Sequence, residues 1–250
     1  MNDLAADVLD SHGGLKCWHR WSTVTATIVS GGELFLAKGL PQDPTPRQMT
    51  VSLHEEHASV RPFGADDQRT DFTPDRIAVE KLDGTVVAER RNPRDAFRGH
   101  ILETPWDPLD RAYFNGYALW TYLTTPFLIS MPGFAAEEAE PWQEGTERWR
   151  HLRVTFPDGI ASHCGTQDFY FGEDGLLRRH DYHVDIAGGF AAAQYVHDFV
   201  RVQGISLPTK RRAYLRDVAG RPVHEHLMVS IDLSDVRFFA STSRGRGARS

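Results

Sequence analysis

Residues 109–125, LDRAYFNGYALWTYLTT, form the one long stretch of this chain that reads as a helix. Leu109, Tyr113, Tyr117 and Trp120 recur at helical spacing, and Phe114 and Leu123 widen the apolar stripe. Asp107 and Pro108 supply a start signal, and Pro126 predicts a stop after about Thr124. The apolar coverage is too broad for a helix lying free in water, so the segment is expected to pack against, or plug, a curved sheet.

On both sides of this helix the signals are those of strands. Upstream, a short helix over residues 3–11 is followed by CWHRWSTVTATIVSGGELFLAKG (17–39), which reads as two strands turning at Gly31-Gly32. PQDPTPR (41–47) reads as a loop, and strands resume at Gln48, with Asp83-Gly84 as the strongest hairpin signal. Downstream, MPGFAAEEAEPWQEGTE (131–147) reads as a loop before strands return, turning at Asp158-Gly159 and at Glu173-Asp174-Gly175. Roughly six strands, a helix and roughly six more strands predict a mainly β fold. The expected form is a single large curved antiparallel sheet making an open or incomplete barrel, with the helix on its concave side. The expected organisation is one unit over residues 1–239 and a disordered basic tail over residues 240–250.

The chain has 250 residues, 40% of them apolar, with a net charge of −6 and two cysteines. That supports a sizeable core without a disulfide framework and gives no general field for nucleic acid. The apolar run through the helix is broken by Pro126 and Pro132, so no membrane span is expected. The opening MNDLAADVLD is acidic and lacks an apolar leader, from which a cytoplasmic location is expected. No dinucleotide fingerprint, phosphate loop, zincin motif or nucleophile elbow occurs, and no cofactor is expected.

The aromatic content is unusual: six Trp, seven Tyr and fourteen Phe, many on strand-like segments. Trp18, Tyr117, Trp120, Tyr170, Tyr182 and Tyr195 are candidate walls of a ligand cavity, and Arg212 is a candidate inward cation for an anionic head group. A short turn at residues 173–175 sets Asp168 opposite His180, and the next connection sets His180 beside His197. These three are therefore candidate acid–base residues on one face. The opposite parity carries His163, Asp181, His183 and Asp185, a set able to bind a divalent metal, though alternating charge equally describes a solvated face. Cys17 and Cys164 read as inert thiols.

The stretches DGTVVAERRNPRDAF (83–97), TPFLISMPGF (125–134), FGEDGLLRRHDYHVDI (171–186) and GISLPTKRRAYL (204–215) resemble the LolA-like lipoprotein-carrier superfamily. The matching features are a hairpin ending in D-G-L-L-R-R and a G-x-x-x-P-T-K strand start, within a resemblance running from about Thr23 to Leu233. The resemblance implies an open β-barrel with a helical lid over a hydrophobic cavity, in an uncharacterised cytoplasmic branch of actinobacterial type. The expected function is binding of an apolar or aromatic small molecule in that cavity. The alternative is a cofactor-independent isomerase, cyclase or dehydratase using Asp168, His180 and His197.

Overall fold

The computed structural model describes residues 3–241; the expected basic tail lies, from residue 242 on, outside the described residues. Six strands precede the long helix: β1 (Thr23–Gly31), β2 (Arg47–Ser52), β3 (Ala58–Arg61), β4 (Gln68–Thr73), β5 (Arg76–Lys81) and β6 (Val86–Arg91). Seven follow it: β7 (Ala135–Glu144), β8 (Glu147–Thr155), β9 (Thr166–Phe171), β10 (Leu177–Val184), β11 (Phe190–Val202), β12 (Ile205–Arg216) and β13 (Pro222–Phe239). The helices are α1 (Asp3–Ser11), α2 (Leu15–Trp18), α3 (Leu34–Ala37) and α4 (Pro108–Thr124).

All thirteen strands form one antiparallel sheet in the order β6-β5-β4-β3-β2-β1-β13-β12-β11-β10-β9-β8-β7. The two chain halves are thus joined where β1 pairs with β13, and β6 and β7 are the edges. Register shifts in the β1–β13, β12–β13, β9–β10, β7–β8 and β5–β6 pairs add the twist that curls so long a sheet. The chain must travel from one edge to the other between β6 and β7, and α4 lies on that crossing. This topology places the helix against the sheet's concave side.

The start of α4 is fixed by a reciprocal cap. The backbone N–H of Asp110 donates to the Asp107 carboxylate at 2.8 Å, and that of Asp107 to the Asp110 carboxylate at 3.0 Å, with Pro108 in the first turn. Both carboxylates also accept from Arg90 on the edge strand β6, which anchors the cap to the sheet. At the other end, the Thr124 and Thr125 hydroxyls turn back onto the carbonyls of Trp120 and Thr121, and Pro126 closes the helix. Midway, Gly116 leaves no room for a side chain: a Cβ there would sit 2.2 Å from the Phe72 ring of β4. The expected helix is therefore present, with all but a few of its residues buried.

Two local expectations are corrected. Residues 32–39 do not form a strand: Gly32 adopts φ +103 close against the Met228 backbone, which turns the chain away from the sheet into the short helix α3. Residues 135–144, expected to be loop, form edge strand β7. Alanine and glutamate favour strands weakly, but pairing with β8 overrides that preference, and the glutamates and Pro141 suit an edge.

Candidate functional site

The interior between α4 and the concave face is almost full. An apolar space beneath the helix is a cavity of about 20 Å³, room for about one water molecule. From α4 it is lined by Phe114, Asn115, Ala118, Leu119 and Tyr122. The sheet contributes Ile28, Ser30, Arg47, Val60, Val229 and Ile231, and α3 contributes Phe35. These α4 residues form a second stripe beside the Leu109–Tyr113–Tyr117–Trp120 stripe. The i, i+4 spacing of Phe114, Ala118 and Tyr122 was a signal available in the sequence.

The seven residues expected to wall a cavity divide between the two faces of the sheet. Trp18, Tyr117, Trp120 and Tyr182 lie inside as core residues. Trp18 stacks on Phe127 at 4.2 Å, and the Trp120 indole N–H donates to the Glu55 carbonyl at 2.8 Å. Tyr170, Tyr195 and Arg212 lie on the other face. Tyr170 stacks on His151, Tyr195 donates to Glu144, and Arg212 pairs with Asp232 at 2.7 Å. The cation that does point inward is its neighbour, Arg211. On a strand, a parity error of one residue inverts the face.

Asp168, His180 and His197 are not brought together. The pairing of β9 with β10 begins in the expected register at Leu177 and Phe171, then slips by one residue before Arg179. Asp168 consequently faces Asp181 across the ladder, while His180 faces Phe169. The next connection is tighter than expected, with Val184 opposite Phe190, so His180 meets Gln194 and His197 meets Lys210. Asp168 instead binds His151 at 2.7 Å and Arg153 at 2.9 Å on the outer face. The metal alternative also separates. Asp181 is held by Arg179 on the outer face, His163 is stacked on Tyr182 inside, His183 is exposed, and Asp185 meets Arg94. No cluster able to hold a metal ion occurs among the described residues. Cys164 is buried, with its thiol pushed up by burial, and Cys17 is half-buried; neither is in a disulfide.

What the structure does assemble inside is a hydrogen-bonded chain that sequence reasoning missed, because its members come from five separate segments. Arg211 Nη1 donates to Gln194 Oε1 at 2.8 Å, which orients the amide so that Gln194 Nε2 donates to the Tyr182 hydroxyl at 3.3 Å. The Tyr182 and Tyr122 hydroxyls lie 3.0 Å apart. Tyr122 is 2.8 Å from His163 Nε2, and His163 Nδ1 is 3.2 Å from the Tyr117 hydroxyl. Because Tyr182 receives from Gln194, its hydroxyl hydrogen is placed by donating to Tyr122, and the chain then runs from Tyr122 to His163 Nε2 and from His163 Nδ1–H to Tyr117. In that arrangement His163 is the Nδ1–H tautomer, and burial, which pushes its pKa down to about 3, keeps the ring neutral. Nearby, His180 accepts a stacked Phe169 ring and lies 2.6 Å from Gln167 Oε1, also held neutral by burial. The chain links Tyr117 and Tyr122 of α4 to Tyr182, Gln194 and Arg211, so it braces α4 against β10, β11 and β12.

The charged residues at the other end of α4 behave differently. Arg47 and Arg111 are 5% and 7% exposed, yet neither forms an ion pair among the described residues. Arg47 donates to the Ser30 hydroxyl at 2.8 Å and Arg111 to the Pro41 carbonyl at 2.9 Å. Nε of Arg47 and both Nε and Nη2 of Arg111 have no partner. Burial first, then the charge of Arg47, bring the pKa of Arg111 down to about 10.

No family model matches the chain, and no curated protein matches it. Solved structures do. A LolA superfamily protein from Nitrosomonas europaea aligns with TM-score 0.53 at 12% identity, over 95% of this chain and 93% of its own. A DUF1329 family protein from Desulfovibrio piger gives 0.52 at 12% identity, over 94% and 90%. A domain attributed to outer membrane lipoprotein sorting from Vibrio parahaemolyticus gives 0.52 at 9% identity, over 94% and 91%. The cytoplasmic location expected from the first ten residues is corrected by this comparison, because the matched proteins are of the LolA and outer membrane lipoprotein-sorting type. No helix of the described residues is long and apolar enough to cross a membrane. The likeness is one of fold and does not extend to the actinobacterial branch: the chain is an open antiparallel sheet like that of the matched LolA-like structures, with a helix packed against part of it.

Proposed function

We propose that this chain binds an apolar or aromatic small molecule between α4 and the concave face of its sheet. The observation that carries the reading is the seam at that place. Phe114, Ala118 and Leu119 face Ile28, Val60, Val229 and Ile231 across a residual space, and no disulfide joins α4 to the sheet. The described form is the closed one, since 20 Å³ admits no organic ligand. Binding is therefore an exchange, in which ligand surface replaces helix–sheet contacts as α4 lifts. The carriage of acyl chains implied by the family resemblance supports the same place in the fold. Acid–base chemistry has no such support, because Asp168, His180 and His197 stand on different faces and strands.

Native mass spectrometry of the purified protein, with a parallel titration by the neutral fluorophore Nile red, tests this. A copurified apolar molecule or saturable one-to-one dye binding is expected. A protein that carries nothing and gives only weak, non-saturating fluorescence would overturn the reading.

A further inference from the structure

Buried arginines in this fold differ in how they are answered, and Arg211 itself keeps one unpartnered Nε. Arg179 is fully buried on the outer face and held by both oxygens of Asp181. Arg211 is buried inside, and its guanidinium rests on the Tyr122 carbonyl near the end of α4, where the helix dipole is negative. Arg47 and Arg111 have neither arrangement, and three of their N–H groups point at nothing. The carboxylate of Asp43 is near enough to favour the charge on both but forms no ion pair with either, so two buried guanidinia side by side keep donor groups free for a further anion.

The two arginines also adjoin the groove. Arg47 is itself part of the cavity wall at the start of β2. Arg111 lies one helical turn from Asn115, which lines the same space, and its guanidinium sits 4.2 Å over the ring of Phe35, another wall residue. Arg47 belongs to the sheet and Arg111 to the helix. In the empty form two cations therefore face one another across the seam, and an anion between them converts that repulsion into a tie between helix and sheet.

We propose that Arg47 and Arg111 bind the anionic head group, a carboxylate or phosphate, of a molecule whose apolar part enters the groove beneath α4. This rests on the groove reading given under Proposed function and narrows the ligand to anionic amphiphiles. The planar forks supply paired donors suited to either head group, and Ser30 and Asn115 add polar contacts at the boundary between head and tail.

Displacement of Nile red by dodecanoate, dodecyl phosphate and dodecanol, all below their micellar concentrations, separates the two readings. Wild-type protein should bind the two anions at least about tenfold more tightly than the alcohol, as expected for charge-assisted hydrogen bonds. In the doubly substituted Arg47→Gln/Arg111→Gln protein that ratio should fall to about one. Arg47→Lys and Arg111→Lys, which keep charge but lose the fork, should give intermediate ratios and keep the test usable if the double variant misfolds. Equal binding of acid and alcohol by wild type overturns the anion proposal while leaving the groove reading standing. Failure of all three amphiphiles and of the dye overturns both. Inorganic phosphate alone raising the melting temperature as much as dodecyl phosphate does would assign the arginines to a free anion and overturn the amphiphile proposal.

Discussion

Arg211 Nη2 donates a 2.7 Å hydrogen bond to the backbone carbonyl of Tyr122, so β12 grips the last turn of α4. The same guanidinium lies 4.7 Å from the centre of the Tyr122 ring and donates to Gln194. One residue thus compensates a helix end, orients an amide and fixes the polarity of the buried tyrosine–histidine chain.

Replacing Arg211 by Met keeps much of its bulk but leaves the Tyr122 carbonyl and Gln194 Oε1 unanswered. The expected loss is about 1–3 kcal/mol in urea denaturation. Because α4 is then freed at one end, Nile red should also bind more readily. A variant as stable as wild type would show that the guanidinium contributes nothing net to holding the helix.

The directed chain makes a second expectation. Tyr182→Phe removes the link that receives from Gln194 and donates to Tyr122, stranding a group on each side, and should cost about 1–3 kcal/mol. Tyr117→Phe removes only the terminal acceptor and should cost less. Independently, nitrogen-15 NMR of His163 should report a protonated Nδ1 and a bare Nε2. The opposite tautomer would reverse the assigned direction of every bond in the chain.

Acid stability follows from the buried imidazoles. Burial pushes His12 down to about 4 and His163 down to about 3, and it also lowers His180. Between the ordinary histidine value of about 6.5 and those depressed values, the unfolded chain binds protons that the folded chain refuses. Stability from these groups is complete above about pH 6.5 and falls as pH drops through that window. Each histidine contributes up to about tenfold in the folding equilibrium per pH unit. Glu56 acts in the opposite sense, since burial raises its pKa, so the informative quantity is the difference between proteins. His163→Gln should flatten the pH dependence by about one proton; an unchanged slope would mean that His163 is protonated in the folded state.

Gly116 provides a test of how closely α4 approaches the sheet. Alanine is the better helix former by about 1 kcal/mol, yet its Cβ would fall 2.2 Å from Phe72. Gly116→Ala should therefore destabilise by about 1–3 kcal/mol, with Phe72→Leu relieving part of the loss. A stabilised Gly116→Ala protein would mean that the helix can shift outward at little expense.

Much of the architecture was legible because it depends on periodicity. The apolar spacing from Leu109 to Leu123 and the proline at 126 located α4, and the Asp83-Gly84 turn located the β5–β6 hairpin. The candidate site was less legible because it depends on register. A single bulge before Arg179 carries Asp168 and His180 to different faces, and the choice between Arg211 and Arg212 is one residue wide. Neither can be counted from a turn without knowing where the ladder slips. The paired arginines escaped notice for another reason: Arg47 and Arg111 are 64 positions apart and meet only because α4 crosses back over β2.

The edges β6 and β7 end the strand order without pairing to each other. A closed barrel has its girth dictated by strand number and stagger, and widening it means breaking backbone ladders. In this sheet no backbone ladder joins the edges, so its girth is set by other contacts, those around α4 and those between the halves such as Arg94 with Ser162 and Glu56 with Ala161. Under the proposed binding, capacity would be set by the guest rather than by the wall, and the same thirteen strands would accommodate molecules of different bulk, each held at the width that its own surface fills.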